Sequence, residues 1–480
     1  MRHNRLFQLF ICVVAGVLVT MADDKAVPAA YAPEGRYLND SLPERWSYVE
    51  NFSPAAPSED GWWRSFNDPL LDYLIMEGET NNYNLLMAGR RIEIARNTLM
   101  MTRSQYFPNI GLSAGWQKAR TSGATTAYSR PAETVDYFSL GLSMSWEIDV
   151  FGKITTAAKS KKALWNASRA ERDGAMVSVA ANIAKAYIEL RMYQGELAVS
   201  REHLASQEKV MKITEARHEA GLASMLDVSQ ARTVYYSTLA AIPSLENAIN
   251  SSISGLAVLL GVYPDAIAPR LTPAGAIPDY RRIPAVGIPM ELLRRRPDIV
   301  EAEWQLASYA AELGVAKKDF LPTLSLNGSL GTSAHRAGDL FSNNTLTYSI
   351  APTLSWTVFS GLSRKYAVAS AKEQMLAGID NYNLTVITAV QEVDNAMSAY
   401  RFSLQKIDAT NIVIQQSAKS LKLSVDLYKQ GLTAFSNVVD AQMSLLENTL
   451  SLVTARAQAA TALVALYQSL GGGWTASTPN

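Results

Sequence analysis

Apolar and polar positions alternate with a period of two in four short stretches of the chain, and each predicts a β-strand. In the first, Ile110, Leu112, Ala114 and Trp116 fall on one face and Gly111, Ser113 and Gly115 on the other. In the second, Phe138, Leu140, Leu142, Met144, Trp146 and Ile148 oppose Ser139, Gly141, Ser143, Ser145 and Glu147. The third sets Leu324, Leu326 and Leu330 against Ser325, Asn327 and Ser329. The fourth sets Tyr348, Ile350, Pro352, Leu354, Trp356 and Val358 against Ser349, Ala351, Thr353, Ser355 and Thr357. Elsewhere the pattern is helical. From Ile154 to Arg217, and again from Leu362 to Gln430, there is no proline and hardly a glycine. Apolar residues recur there at coiled-coil spacing: Val179, Ile183, Ala186 and Leu190, then Val386, Val390, Val393, Met397 and Tyr400. Helices of about 60 residues would reach roughly 90 Å, and these stripes read as packing surfaces. Asp68-Pro69 opens a short helix and Pro297-Asp298 a long one, since proline is favoured in the first turn.

The arrangement occurs twice. Gly221-Leu222, Asp227-Val228 and Ala231 fall on Gly431-Leu432, Asn437-Val438 and Ala441 when the chain is slid by 210 residues. Ala88, Ile92, Leu99 and Phe107-Pro108 fall on Ala302, Leu306, Leu313 and Leu321-Pro322 at an offset of 214. Such self-similarity marks a duplicated structural unit. The first copy is placed at 62–261 with a hairpin at about 105–149, and the second at 290–473 with a hairpin at about 319–359. Residues 262–289 between them hold six prolines and are expected to be an extended linker. Residues 23–61 read as an extended N-terminal segment and 474–480 as a tail.

Arg2, His3 and Arg5 precede an apolar run from Leu6 to Val19, followed by Thr20-Met21-Ala22. This is the pattern of a cleavable export signal, residues 1–22. Cys12 sits in the middle of that run after Phe10 and Ile11, so it is read as lost with the signal and not as a lipid attachment site. No later segment has about 18 unbroken apolar residues, which argues against helical membrane spans.

Composition narrows the function. With 48% hydrophobic and 18% charged residues the chain can bury a large core, so disorder is excluded. Lys+Arg and Asp+Glu both number 44, which leaves no basic excess for nucleic acid. Four scattered histidines and one cysteine supply no metal cluster and no thiol chemistry. No phosphate-binding glycine loop or nucleophile elbow is present, so neither an enzyme nor a cofactor is expected.

A strand of about ten residues with one greasy face, one small polar face and aromatic ends suits an outer-membrane barrel. Four such strands cannot close a barrel, because an open edge in lipid leaves backbone groups unsatisfied. The chain must therefore assemble with copies of itself. Two would give eight strands and a lumen filled by side chains, three would give 12 and room for a passage. Small polar residues then line the passage: Ser139, Ser143, Ser145, Ser325, Ser329, Thr353 and Ser355.

Four motifs carry a family resemblance: Trp62-Trp63 with Asp68-Pro69-Leu70; Ser145-Trp146-Glu147-Ile148-Asp149-Val150-Phe151-Gly152; Leu292-Leu293-Arg294-Arg295-Arg296-Pro297-Asp298; and Gly314-Val315-Ala316-Lys317 leading to Leu321-Pro322. From Trp62 to Gly473 the chain resembles the TolC/OprM family of outer-membrane efflux channels serving resistance-nodulation-division pumps. The resemblance implies an α+β membrane protein: a trimeric 12-stranded β-barrel in the outer membrane, four strands per chain, continued into the periplasm by a long α-helical barrel. It implies a homotrimer working with a periplasmic adaptor (membrane fusion protein) and an inner-membrane resistance-nodulation-division transporter, and passively conducting small molecules such as drugs or toxic compounds. It also implies a periplasmic gate at Asn437 and Asp440, where relatives often carry two aspartates; Asp227 is the first copy's counterpart of Asn437. The Arg294 to Asp298 cluster reads as a helix start with arginines satisfying neighbouring acids or carbonyls. A type I secretion duct and a periplasmic coiled-coil scaffold or adaptor are the competing readings.

Overall fold

The period-two segments are strands and the proline-free stretches are single helices. A computed structural model of the chain describes residues 61–120, 132–278, 284–287 and 295–472, with Trp46, Phe52 and Ser122. The export signal, Cys12, Arg294, most of the N-terminal segment and the tail lie outside the described residues. After a short 3₁₀ turn at Trp62–Phe66, the first copy consists of α1 (Pro69–Asn81), α2 (Tyr83–Ser104), β1 (Asn109–Arg120), β2 (Thr134–Ile148), α3 (Lys153–Glu219) and α4 (Met225–Leu260). A short helix, α5 (Pro264–Leu271), follows. The second copy consists of α6 (Pro297–Lys318), β3 (Thr323–Ala334), β4 (Leu346–Ser355), α7 (Ser363–Lys429) and α8 (Phe435–Ser469).

The duplication is visible residue by residue. Helices α2 and α6 are both 22 residues long, and α3 and α7 are both 67. At 1.5 Å per residue, α3 and α7 extend about 100 Å. Both end in the same turn. Gly221 (φ 72°) and Gly431 (φ 74°) take the left-handed conformation, and Leu222 and Leu432 donate back to the carbonyls of Arg217 and Leu427. A side chain other than glycine would be strained there. At the opposite end, the indole of Trp146 donates to the Tyr106 carbonyl and that of Trp356 to the Phe320 carbonyl, both at 2.9 Å. These bonds fix the corners where α2 turns into β1 and α6 into β3. Asp149 holds the next corner by accepting from Ile154 N, Thr155 N and Thr155 Oγ1 at the start of α3.

The four strands form one antiparallel sheet in the order β1-β2-β3-β4, so the two hairpins lie side by side. Next to the sheet the helices pack in the order α2-α3-α6-α7; beyond the middle the order becomes α4-α3-α8-α7. The core sits where these layers change over. There Leu71, Leu74, Ile75, Ile183, Ile188, Leu190, Leu256, Leu260, Leu463 and Leu466 are fully buried. Helix α8 is the one described helix long and apolar enough to cross a membrane. Its alanine-rich half packs instead into this core, with Ala457, Ala460, Leu463 and Val464 buried. Trp46 joins the core and donates from its indole to the Gly287 carbonyl, while Phe52 packs against Tyr400.

One expectation needs correction. The linker is not wholly extended, because residues 264–271 form α5. Pro264 occupies the favoured first position, and burial of Ile267 and Leu271 offsets the bond that Pro269 removes. The first copy opens with two helices, α1 and α2, where the second has α6. Asn82 ends α1 and caps α2, accepting from Asn84 N and Leu85 N while its amide donates to the Leu259 carbonyl.

Candidate functional site: channel wall and mouth

Register decides which residues share a face of the sheet. Gly111, Ser143, Ser329 and Ser349 lie opposite one another across the four strands, as do Gly115, Ser139 and Ser333. Ser145 faces Asn109 and Asn327, Ser325 faces Glu147 and Thr353, and Ser355 faces Thr323. The six serines and one threonine singled out from the sequence therefore occupy one continuous face. Their hydroxyls stay close to the backbone. Ser139 Oγ and Ser143 Oγ point to the Gly115 and Gly111 carbonyls, Ser325 Oγ donates to the Thr353 carbonyl, and Ser329 Oγ and Ser349 Oγ are 2.8 Å apart. Such a wall is smooth, small and polar.

The other face is apolar and uncovered. Leu112 pairs with Leu142, Leu142 with Leu330, and Leu330 with Tyr348. Leu112 is 73% exposed and Ile350 75%, values that water would penalise at about 25 cal/mol per Å². At the far end of this face Asp136 receives the Trp116 indole and pairs with Lys118, an amphipathic rim of the kind found at a membrane interface.

The tip of the helical bundle carries the other candidates. Asp440 and Asn437 are exposed, on the first turns of α8. The Asn437 amide donates to Thr433 Oγ1 at 2.6 Å, and Asp440 has no partner among the described residues. Asp227 is half-buried and engaged: it receives bonds from Ser224 Oγ and from the phenol of Tyr428. Tyr428 also lies under the Arg217 guanidinium and against Phe435. Burial, and then the adjacent Asp227 carboxylate, hold its phenol above the ordinary value of 10.0. The sequence reading missed Tyr428; its position three residues before the turn glycine Gly431 was the available signal, and its first-copy counterpart is His218.

At the belt, a cavity of about 680 Å³ is lined by Glu171, Arg296, Asp298, Glu301 and Glu392. Arg296 is buried and pairs with Asp298 and Glu392, and it donates to the Ser469 carbonyl, so the second copy's motif arginine joins three elements. No group of three or more His, Cys, Asp or Glu among the described residues is arranged to hold a metal ion.

The model of the family described as outer membrane efflux protein matches residues 74–262 and 288–472, in two parts that fall on the two copies. The antibiotic efflux pump outer membrane protein ArpC of Pseudomonas putida is 28% identical over 94% of this chain and 93% of its own length. Nodulation protein T of Rhizobium leguminosarum bv. viciae is 30% identical over 91% of this chain and 89% of its own. Among solved structures, the outer-membrane channel OprN superposes with a TM-score of 0.84 at 28% identity, covering 95% of this chain and 99% of that one. The chain belongs to the outer membrane efflux protein family, and it is an outer-membrane efflux channel with a helical extension into the periplasm.

Proposed function

We propose that three copies of this chain close head to tail into the exit duct of a tripartite efflux pump. One observation carries this reading: among the described residues the same two flanks are open beside the sheet and along most of the helical bundle. On one flank lie β1, α2 and α4, and on the other β4 and α7. Except at the tip, where Tyr428 reaches Asp227, these flanks do not pack on each other among the described residues. Both expose large apolar side chains, among them Ile94, Met101, Tyr236 and Val258 on one and Tyr366, Ile387 and Ile412 on the other. A heterologous contact repeated around an axis satisfies both flanks at once and leaves no strand edge in lipid. Three copies give 12 strands, enough for an open lumen lined by the serine and threonine face.

Below the barrel, Asp440 forms a ring of three carboxylates at the mouth, Asn437 a neutral ring one turn away, and Asp227 a tether that keeps the tips together. Three charges in place of six give a mild electrostatic barrier. A periplasmic adaptor and an inner-membrane resistance-nodulation-division transporter deliver the cargo, small molecules such as drugs or toxic compounds. The duct itself passes them without chemistry.

The test is planar-bilayer conductance of the detergent-purified chain with its mass measured on the same sample. A trimer that conducts weakly and opens further in Asp440→Asn supports the duct and its mouth. A monomer or a non-conducting particle refutes the ring.

A further inference from the structure

The small polar face of the sheet is uncharged but for one residue. Reading the register from β1 to β4, the side chains on that face are Asn, Gly, Ser, Gln, Ala, Val, Tyr and Thr, and Glu147. Glu147 is the sole Asp, Glu, Lys or Arg there; Lys118, Asp136 and Arg120 belong to the apolar face, at the end remote from the helices. It is the penultimate residue of β2, where the wall meets the helical bundle. The carboxylate is exposed and has no hydrogen-bond or ion-pair partner among the described residues.

A structural role for an acid at this corner is already filled. Asp149, two residues on, caps α3 with both oxygens. Across the strand, Ser325 directs its hydroxyl to the Thr353 carbonyl and not to Glu147. The second copy, otherwise so similar, has Thr357 at the matching position, so each chain contributes one carboxylate and not two. Beside Glu147 a cavity of about 550 Å³ opens at the corner, lined by the polar Ser104, Gln105, Asn109 and Ser145 and by the apolar Phe107, Ile110 and Ile154, with room for hydrated ions.

We infer that Glu147 is a charge-selectivity residue: with the symmetry of the duct, it sets a ring of carboxylates at the neck between β-barrel and helical tunnel that favours cations over anions of similar size. The inference rests on the proposed lumenal placement of the small polar face. A carboxylate on a strand face otherwise free of charge has no compensating cation on that face, and its field is strongest in dilute salt. Cationic cargo would be held at the neck and anionic cargo slowed, independently of the Asp440 ring some 100 Å away along the bundle.

The test is the reversal potential of the reconstituted channel across a KCl gradient in dilute salt, with Asp440→Asn as the common background so that the mouth does not contribute. Glu147→Gln should lower the ratio of cation to anion permeability by about threefold, and Glu147→Lys should invert the preference. Glu147→Ser, which matches the neighbouring wall residues, serves if the first variant assembles poorly. In parallel, Ser143→Cys is treated with a negatively charged thiol reagent and compared with the unsubstituted chain. Loss of conductance on labelling with an unshifted reversal potential in every Glu147 variant overturns the inference and leaves the lumenal wall intact. No effect of labelling overturns the lumenal placement, and the inference falls with it.

Discussion

The phenol of Tyr428 donates a 3.2 Å hydrogen bond to Asp227 Oδ2, fastening the second copy's long helix to the first copy's returning one at the tip. Removing that hydroxyl while keeping the ring tests the polar contacts of the phenol, to Asp227 and to Thr214, because Tyr428→Phe retains those to Phe435 and Arg217. A hydrogen bond to a charged acceptor contributes about 1.5 kcal/mol, so its loss should raise the ratio of open to closed channels by roughly tenfold. Single-channel recording of Tyr428→Phe reads this directly, and an unchanged open fraction would show that the tips are held by packing alone.

Neighbouring residues on opposite faces of β2 should respond in opposite ways to the same charge. Leu142 pairs with Leu112 and Leu330 on the uncovered apolar face, and Ser143 pairs with Gly111 and Ser329 on the polar one. An arginine facing lipid near mid-bilayer costs about 2–4 kcal/mol, whereas one facing an aqueous lumen costs little. Leu142→Arg should therefore lose heat-resistant assembled protein in the outer membrane, while Ser143→Arg assembles and conducts less. Equal tolerance of both would contradict the assignment of faces.

Much of this architecture was legible because the chain states it twice. The offsets of 210 and 214 residues that align Gly221 with Gly431 and Leu99 with Leu313 recur as equal helix lengths in the fold. Period two identified all four strands, and it also assigned each serine to its face, since a one-residue error would have inverted every side chain. What stayed hidden depends on partners distant in sequence. The break at Asn82 is made by its bond to the Leu259 carbonyl, 177 residues away, and nothing local distinguishes that asparagine from an exposed one. The short helix α5 is held by burial of Ile267 and Leu271 against the first copy, which outweighs the proline content that suggested an extended chain. At the tip, Asp227 was visible as a carboxylate, but only the fold shows it engaged by Tyr428, 201 residues on.

Arg191 should prove essential to the seating of the segment after α5. It is 6% exposed, lies over the Tyr187 ring, and donates to Gln194 Oε1 at 2.6 Å and to the Pro273 carbonyl at 2.7 Å. Gln194 in turn donates to the Leu271 carbonyl, and Gly275 packs so closely on the guanidinium that an added Cβ would lie 2.7 Å from its central carbon. Arg191→Met keeps the bulk but leaves both carbonyl and amide without their donor, at a cost of about 2–4 kcal/mol. Limited proteolysis should then cut near residues 272–278 at least several times faster than in the parent, with the helical bundle otherwise intact; identical cleavage rates would mean that the apolar contacts of α5 suffice.

Glu301 should make the belt less stable as pH rises. Burial first, and then the nearby Glu171 and Asp298 carboxylates, raise its carboxyl above the ordinary value of 4.5. The folded chain therefore holds this proton more tightly than the unfolded one, so stability is greatest below 4.5 and declines as pH climbs from there through the raised folded value. Glu301→Gln removes the charge and keeps an oxygen to accept the 2.8 Å bond from the Gln305 amide. At pH 7 the variant should melt about 1–3 °C higher, and the difference should shrink toward zero as pH is lowered to about 4. Thermal melts followed by circular dichroism at a series of pH values decide the point. A gain that persists undiminished in acid would trace to packing, because a charge effect must vanish once the parent carboxyl is itself protonated.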